Sequence, residues 1–311
     1  MKATTLGALL VIVYTGMMAA ADGITKFIAG GYEAPQLFAL SSALVVLMAA
    51  GAARTTGGGT LKISSIKAMV ARSALTVIAS LAFFKAFLLL PFADVFLFIG
   101  LMPLIAAAMS GPMLGESPRP LAWVALSIGA CGVFFLTPGG VSGAQEGHAW
   151  AFLAALTGTA SMLLARVIAK VERAPLAQVF WPNLALMVAM GVALPFVWRP
   201  MTLVDAGWIM GYAVFLFGAR YVVAEALRLL PAYVATPLMN LQFVWMVAIG
   251  MVAFNEFPGT GTILGVMLVI ASGLWLVVEE SLVRRKLALQ NASEQSGASP
   301  SLGKARIYPA E

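Results

Sequence analysis

The chain has 311 residues, 61% of them apolar and 10% charged, with a mean hydropathy of +0.95. A soluble domain is roughly 45–50% apolar and 25% charged, so a water-soluble fold of this size lacks the polar surface to cover such a composition. The net charge of +6 does not point to nucleic acid, because Lys and Arg fall between apolar runs instead of clustering on one face, and the single cysteine, Cys131, excludes an intrachain disulfide.

In chain order, apolar runs of membrane-spanning length cover 6–28, 35–53, 70–90, 93–114 and 121–136, then 149–171, 177–198, 208–230, 233–254 and 261–278. The expected fold is an all-α integral membrane protein of ten transmembrane helices. Lys2, the apolar stretch after it and Ala19-Ala20-Ala21 also imitate a cleavable signal peptide. An internal repeat argues against cleavage, because it makes this segment the partner of a later one. Pro91 and Pro231 each divide two helices with almost no connection. The Gly-rich stretch from Thr55 to Gly59 has no Lys-Ser/Thr ending and is a connection, not a phosphate loop. After Lys286 the composition turns to Gln, Asn, Ser, Gly and Pro, which predicts a disordered tail over 281–311.

The repeat is visible by sliding the sequence on itself. A shift of 140 places Leu89-Leu90-Pro91 on Leu229-Leu230-Pro231, Ala34-Pro35 on Ala174-Pro175, Glu116 on Glu256 and Pro118 on Pro258. A shift of 144 places Thr15 on Thr159, Met18 on Met162 and Lys26 on Lys170. The units are 5–136 and 149–280, five helices each. Five is odd, so the second copy enters the membrane from the opposite side, which makes an inverted repeat able to rock about a central site. Gene duplication without mechanical use is the competing reading. One side of the membrane collects Lys2, Arg54, Lys62, Lys67, Arg119, Lys170, Arg173, Arg284, Arg285 and Lys286, and the other keeps Lys26 and Arg199. Excess positive charge marks the cytoplasmic side, so both termini are expected there.

The Leu-Pro junction at Pro91, Gly115-Glu116, Asn255-Glu256, the glycines Gly129 and Gly132, and the tandem five-helix units resemble the EamA-type transporters of the drug/metabolite transporter superfamily, over nearly all of residues 5–280. Asp22 through Lys26, Arg72, Pro91 and Glu116 are similar to the branch containing S-adenosylmethionine and riboflavin carriers. The resemblance implies ten helices around a central cavity and a secondary carrier of a small-molecule substrate that hydrolyses no nucleotide. A proton and a sodium gradient both remain open as coupling source, and the residues carry no signature of oligomeric state.

Metal or nucleophilic chemistry finds few residues: His148, the only histidine, is expected in an outer loop, and Cys131 has no base near it in sequence. No cofactor is called for, and a membrane-embedded enzyme or a non-transporting scaffold is the alternative function. Asp22, Lys85, Arg166, Arg220 and Glu225 are ionisable groups inside apolar runs. Each costs about 2.5–3.5 kcal/mol at a bilayer centre on insertion scales, so each is expected to be paired or to face a polar cavity. Arg220, near the middle of the eighth run, suits bidentate binding of a carboxylate or phosphate; a structural hydrogen bond is its bland reading. Thr236, Asn240 and Trp245, with Gln242 beside them, offer directional contacts and a stacking surface, or interhelical hydrogen bonds. Phe83, Phe84 and Phe87 read as packing, and Glu116 and Glu256 as caps on helix N-termini or loop anchors. Under the repeat Asp22 falls on Arg166 and Lys85 on Glu225, which pairs Asp22 with Lys85 as an outer gate and Arg166 with Glu225 as an inner one. The competing local pairs are Asp22 with Lys26 and Glu225 with Arg228.

Reporter fusions at Gly58, Arg173 and the C-terminal tail are expected to read cytoplasmic, and fusions at Gly143 and Thr202 external. An external C-terminus would contradict the even helix count and the inverted repeat.

Overall fold

The computed structural model describes residues 2–55, 61–114, 124, 145–172, 174–229, 239, 241–261, 263–264, 267 and 271. Eight helices lie within them: α1 Lys2–Ala29, α2 Ala34–Thr55, α3 Ile66–Leu89, α4 Phe92–Leu114, α5 Glu146–Val171, α6 Pro175–Val197, α7 Leu203–Leu229 and α8 Leu241–Ala253. Six carry segments long and apolar enough to cross a membrane: Leu6–Ala29, Ala34–Thr55, Ile66–Leu89, Glu146–Ile168, Leu176–Val197 and Leu203–Arg220. The chain is a multi-pass, all-helical membrane protein in its described part. The fifth and tenth expected spans, the start of the ninth, Glu116, Cys131 and the tail lie outside the described residues, apart from isolated positions.

Helix ends follow local chemistry. Gly30 and Gly31 close α1, with Gly31 N donating to Ile28 O (3.0 Å). Pro91 separates α3 from α4: Leu90 before it is extended, at φ −119° and ψ 154°, as the residue preceding a proline is biased to be. The Pro91 carbonyl accepts from Asp94 N (3.1 Å) to start α4. Two starts differ from the sequence expectation. α5 begins at Glu146 because Gln145 and His148 form a capping box, Gln145 N donating to His148 Nδ1 (3.0 Å). His148 therefore sits in the first turn of a helix, not in a loop. α7 begins at Leu203, ahead of the expected 208, because Thr202 and Asp205 cap it reciprocally: Asp205 N donates to Thr202 Oγ1 (3.2 Å) and Thr202 Oγ1 to Asp205 Oδ2 (2.7 Å).

The face at which α1 begins is here the near face, and the face of the α1–α2, α3–α4 and α6–α7 connections the far face. α1 packs along α7, α3 along α5 and α2 along α6, while α4 also packs on α5 and α8 on α1. Lipid tails are as apolar as leucine, so helix association depends on close packing of small residues more than on hydrophobic burial. Glycines mark the two long seams: Gly211 and Gly218 of α7 face Ile24 and Met17 of α1, and Gly158 of α5 faces Phe83 and Ala79 of α3. Phe84, Phe87, Phe92 and Phe96 are fully buried, and Phe83 stacks on Phe87 at 6.1 Å between centroids, so this aromatic group is packing.

Polar straps tie the two halves at both faces. At the far face Tyr32 donates to Asp205 Oδ2 (2.6 Å), and the Gln36 amide makes two bonds with the Arg199 backbone, at 2.8 and 3.1 Å. At the near face Ser64 N and Ser65 N donate to Glu172 (2.6 and 3.4 Å) and Trp181 Nε1 to Leu61 O (2.9 Å). The Ser64 and Ser65 N–H groups hold the Glu172 carboxyl below its usual range.

Two outcomes follow for stability. A Cβ at Gly147 would lie 2.6 Å from Leu90 Cγ and 3.0 Å from Leu89 Cβ, whereas at Gly218 it meets only the flexible end of Met17. Gly147→Ala is expected to destabilise by about 1–3 kcal/mol and Gly218→Ala by no more than about 0.5 kcal/mol, measured by unfolding in detergent. Glu172 has a depressed folded pKa, so its contribution is present above the unfolded value and is lost as pH falls through the folded one. Stability should therefore lose an acid-side component that Glu172→Gln lacks at every pH.

Candidate functional site

The α1–α7 seam carries Asp22 and Arg220, two ionisable groups of the transmembrane segments. The contacts of Gly211 with Ile24 and of Gly218 with Met17 show the two helices antiparallel. Side chains lean toward the N-terminus of their own helix, so Asp22 of α1 and Arg220 of α7 lean toward one another along the seam. They do not reach an ion pair. Tyr14 of α1 and Tyr212 of α7 lie within electrostatic reach of both. Arg220 is only half-buried and makes no hydrogen bond or ion pair to another described residue.

α8 closes one side of this space. Gln242 Nε2 donates to Asp22 Oδ2 (2.9 Å), and the Trp245 indole lies against Gly16, with 3.6 Å from its Cε2 to where a Cβ would stand. α3 contributes Arg72, which feels the charge of Arg220. Its Nη1 donates to Gln178 O (2.6 Å), while its buried Nε has no partner. Thr76 and Ser161 bond each other (2.8 Å) beside it.

The expected site residues divide accordingly. Trp245 packs on Gly16 of α1 and Arg220 stands on the facing α7, whereas Asp22 is held by Gln242. Thr236, Asn240 and the Glu225 side chain lie outside the described residues. Lys85 and Arg166 are exposed on α3 and α5. Neither the Asp22–Lys85 pair nor the local Asp22–Lys26 pair occurs in this conformation: the carboxylate is held by a neutral amide, and Lys26 is bound to Glu256 (2.9 Å). Tyr14, Tyr212 and Arg72 were not singled out as site residues from sequence. A signal exists for two of them, because Tyr212 is the repeat counterpart of Arg72, so both copies place a polar side chain there.

Three polar side chains of the α1–α8 side have no polar counterpart in the other copy. The counterparts of Tyr14, Gln242 and Trp245 are Gly158, Met102 and Ile105, and Met102 Cε fills the room beside Gly158 at 3.5 Å. Equivalent backbone positions thus hold hydrogen-bonding groups against α1 and apolar filling against α5. Among the described residues no group of three or more metal-ligating side chains occurs.

Residues 145–278 match the model of the EamA-like transporter family. No curated protein sequence matches the chain. Solved structures match in fold; one, titled only as the crystal structure of a protein, is 18% identical with a TM-score of 0.60 and covers 92% of this chain and 98% of its own. That likeness concerns the fold alone, and it extends past the half covered by the family match. The function indicated in general terms is that of a membrane transporter.

Proposed function

We propose that the chain is a secondary carrier of the drug/metabolite transporter kind, moving a small polar, zwitterionic or aromatic metabolite across the cell (inner or plasma) membrane by alternating access. The observation that carries this reading is Arg220. It is a half-buried guanidinium within a spanning helix, it has no acidic partner among the described residues, and it leans along one seam toward a carboxylate that, among those residues, hydrogen-bonds Gln242 alone. A charge kept unpaired at that depth at about 2.5–3.5 kcal/mol is a functional site by default. The space offers a cation for a carboxylate or phosphate, an anion for an ammonium, and the rings of Tyr14 and Trp245 for an apolar or aromatic body. Thr236 and Asn240, on the chain leading into α8, complete the proposed set.

The ten-helix inverted repeat is supported by which helices touch. Exchanging α1 with α5, α2 with α6, α3 with α7 and α4 with α8 turns the α1–α7 contact into α5–α3, α4–α5 into α8–α1, and α3–α6 into α7–α2, all of which occur. The same exchange carries Tyr32 to Glu172 and Asp205 to Ser65, so the far-face strap becomes the near-face strap. Swapping the halves therefore swaps the faces, which is inversion. Lys and Arg placement sets the near face, with both termini, in the cytoplasm. A proton or sodium gradient supplies the coupling. Asp22 to Lys26 with Arg72 and Pro91 favour the branch with S-adenosylmethionine and riboflavin carriers.

A thermal-shift panel of zwitterionic, anionic and cationic metabolites on purified protein is expected to show reversible stabilisation by one zwitterionic class. Arg220→Lys keeps the charge and loses the fork, so affinity should fall. Arg220→Gln should lose about 1.5–3 kcal/mol, or roughly ten- to hundredfold. Unchanged binding and transport in Arg220→Gln would remove Arg220 from the site, and chemical conversion of the ligand would replace the carrier by an enzyme.

A further inference from the structure

Pro91 divides one long run into α3 and α4, and the division leaves two kinds of orphaned backbone group side by side. The end of α3 presents carbonyls and the start of α4 presents N–H groups. Lys26, near the end of α1, donates to Leu90 O (2.7 Å) and Phe87 O (3.3 Å) and lies 5.5 Å from the Phe254 ring centroid. Glu256, just past the end of α8, accepts from Phe92 N through Oε2 (2.7 Å) and pairs with Lys26 through Oε1 (2.9 Å). The cation thus sits on a helix C-terminus and the anion on a helix N-terminus, each where the helix dipole favours it.

Glu256 is held ready for this contact. Asn255 takes a left-handed φ of 53°, and Glu256 N donates back to Gly250 O (2.9 Å), which turns the chain at the end of α8 toward Pro91. Phe254 packs on Phe92 at 5.9 Å between centroids, and Gly23 of α1 meets Ile249 of α8 just below. Lys26 lies one turn from Asp22, so this cluster stands directly over the far-face side of the Asp22–Gln242 contact.

We infer that Lys26, Glu256 and the Pro91 junction form a polar latch that closes the far face of the binding space by fastening the end of α8 to α1 and to the start of α4. The inference rests on the alternating-access reading. The straps place it: the α1–α2 connection is tied to the α6–α7 connection at the far face, and the α2–α3 connection to α5 and α6 at the near face. Glu256 instead joins the second half to the first through one flexible side chain. The pair is also reachable by water, with side-chain exposures of 12% for Lys26 and 29% for Glu256, so it can open without stranding both charges in a dry interior. When Glu256 leaves, Lys26 keeps its two carbonyls, and only the tie to α8 is lost.

The latch has a direction that an ordinary ion pair lacks. Exchanging the charges would set a carboxylate against the carbonyls of α3 and an ammonium against the N–H of α4, so the swap should not restore it. Ala19, fully buried in the cluster with Phe92 and Met246, reports on opening as Ala19→Cys in a Cys131→Ala background. Labelling by a membrane-impermeant maleimide is measured on intact cells and on inside-out vesicles. Glu256→Gln and Lys26→Met are expected to raise the rate about tenfold or more from outside only. Tyr32→Phe, in the far-face strap, should leave it unchanged, and Lys26→Glu with Glu256→Lys should label as fast as the single variants. Should Glu256→Gln not fold, Glu256→Asp, which keeps the charge and shortens the reach, is expected to give an intermediate rise. A rise confined to inside-out vesicles would keep the latch and reverse the proposed orientation. Rescue by the charge swap, an equal rise from both sides, or no rise in folded protein would each overturn the latch.

Discussion

In a bilayer no water is at hand for a backbone or side-chain polar group, so each must find its partner inside the protein. This constraint sorts the polar residues of the described chain into two kinds. Most end helices or tie connections, as Gln145 with His148, Thr202 with Asp205 and Glu172 with Ser64 and Ser65 do. Others lie within the spans: Thr25 and Thr157 donate to carbonyls of their own helices, Asp22 is held by Gln242, and Arg220 has no ionic partner among the described residues.

Packing and chemistry obey the repeat differently. The helix contacts follow it closely, since the α1–α7 and α3–α5 seams, the α2–α6 pair and the straps all exchange with their counterparts. The interior polar side chains do not, because Gly158, Met102 and Ile105 stand where Tyr14, Gln242 and Trp245 stand in the other copy. In the proposed carrier, the symmetric frame moves between two equivalent arrangements and the asymmetric lining gives one site to present alternately to each face. The straps join the α1–α2 connection to α7 and the α2–α3 connection to the end of α5 and to α6.

Apolar length made six of the expected spans legible to within a few residues, because lipid demands runs of about twenty and Gly-Gly, Pro91 and Ala-Pro interrupt them sharply. Boundaries failed where caps reached outward past a polar residue, at His148 and at Asp205, since hydropathy discounts the residues that start a helix. Glu256 was legible as a cap, and it caps Phe92. Its partner was not: spacing within α1 offers Asp22 to Lys26, but the carbonyls bared by Pro91, distant in sequence, hold the ammonium instead. Arg220 was found because a charge in an apolar run stands out. Tyr14 and Tyr212 are not legible as site residues because tyrosine is unremarkable in an apolar run until the fold brings it within reach of charges. Glu225, Thr236 and Asn240 belong to stretches outside the described side chains.

The proposed function requires a solute to cross the membrane unaltered along the seam that carries Asp22 and Arg220. The direct measurement loads proteoliposomes with a total extract of small cellular metabolites and follows, by mass spectrometry, which species exchange across the bilayer. The account predicts that at least one polar metabolite exchanges saturably and chemically unchanged, that empty vesicles do not pass it, and that Arg220→Gln stops it. Exchange no faster than in empty vesicles for every species, or a species that emerges chemically converted, would contradict it.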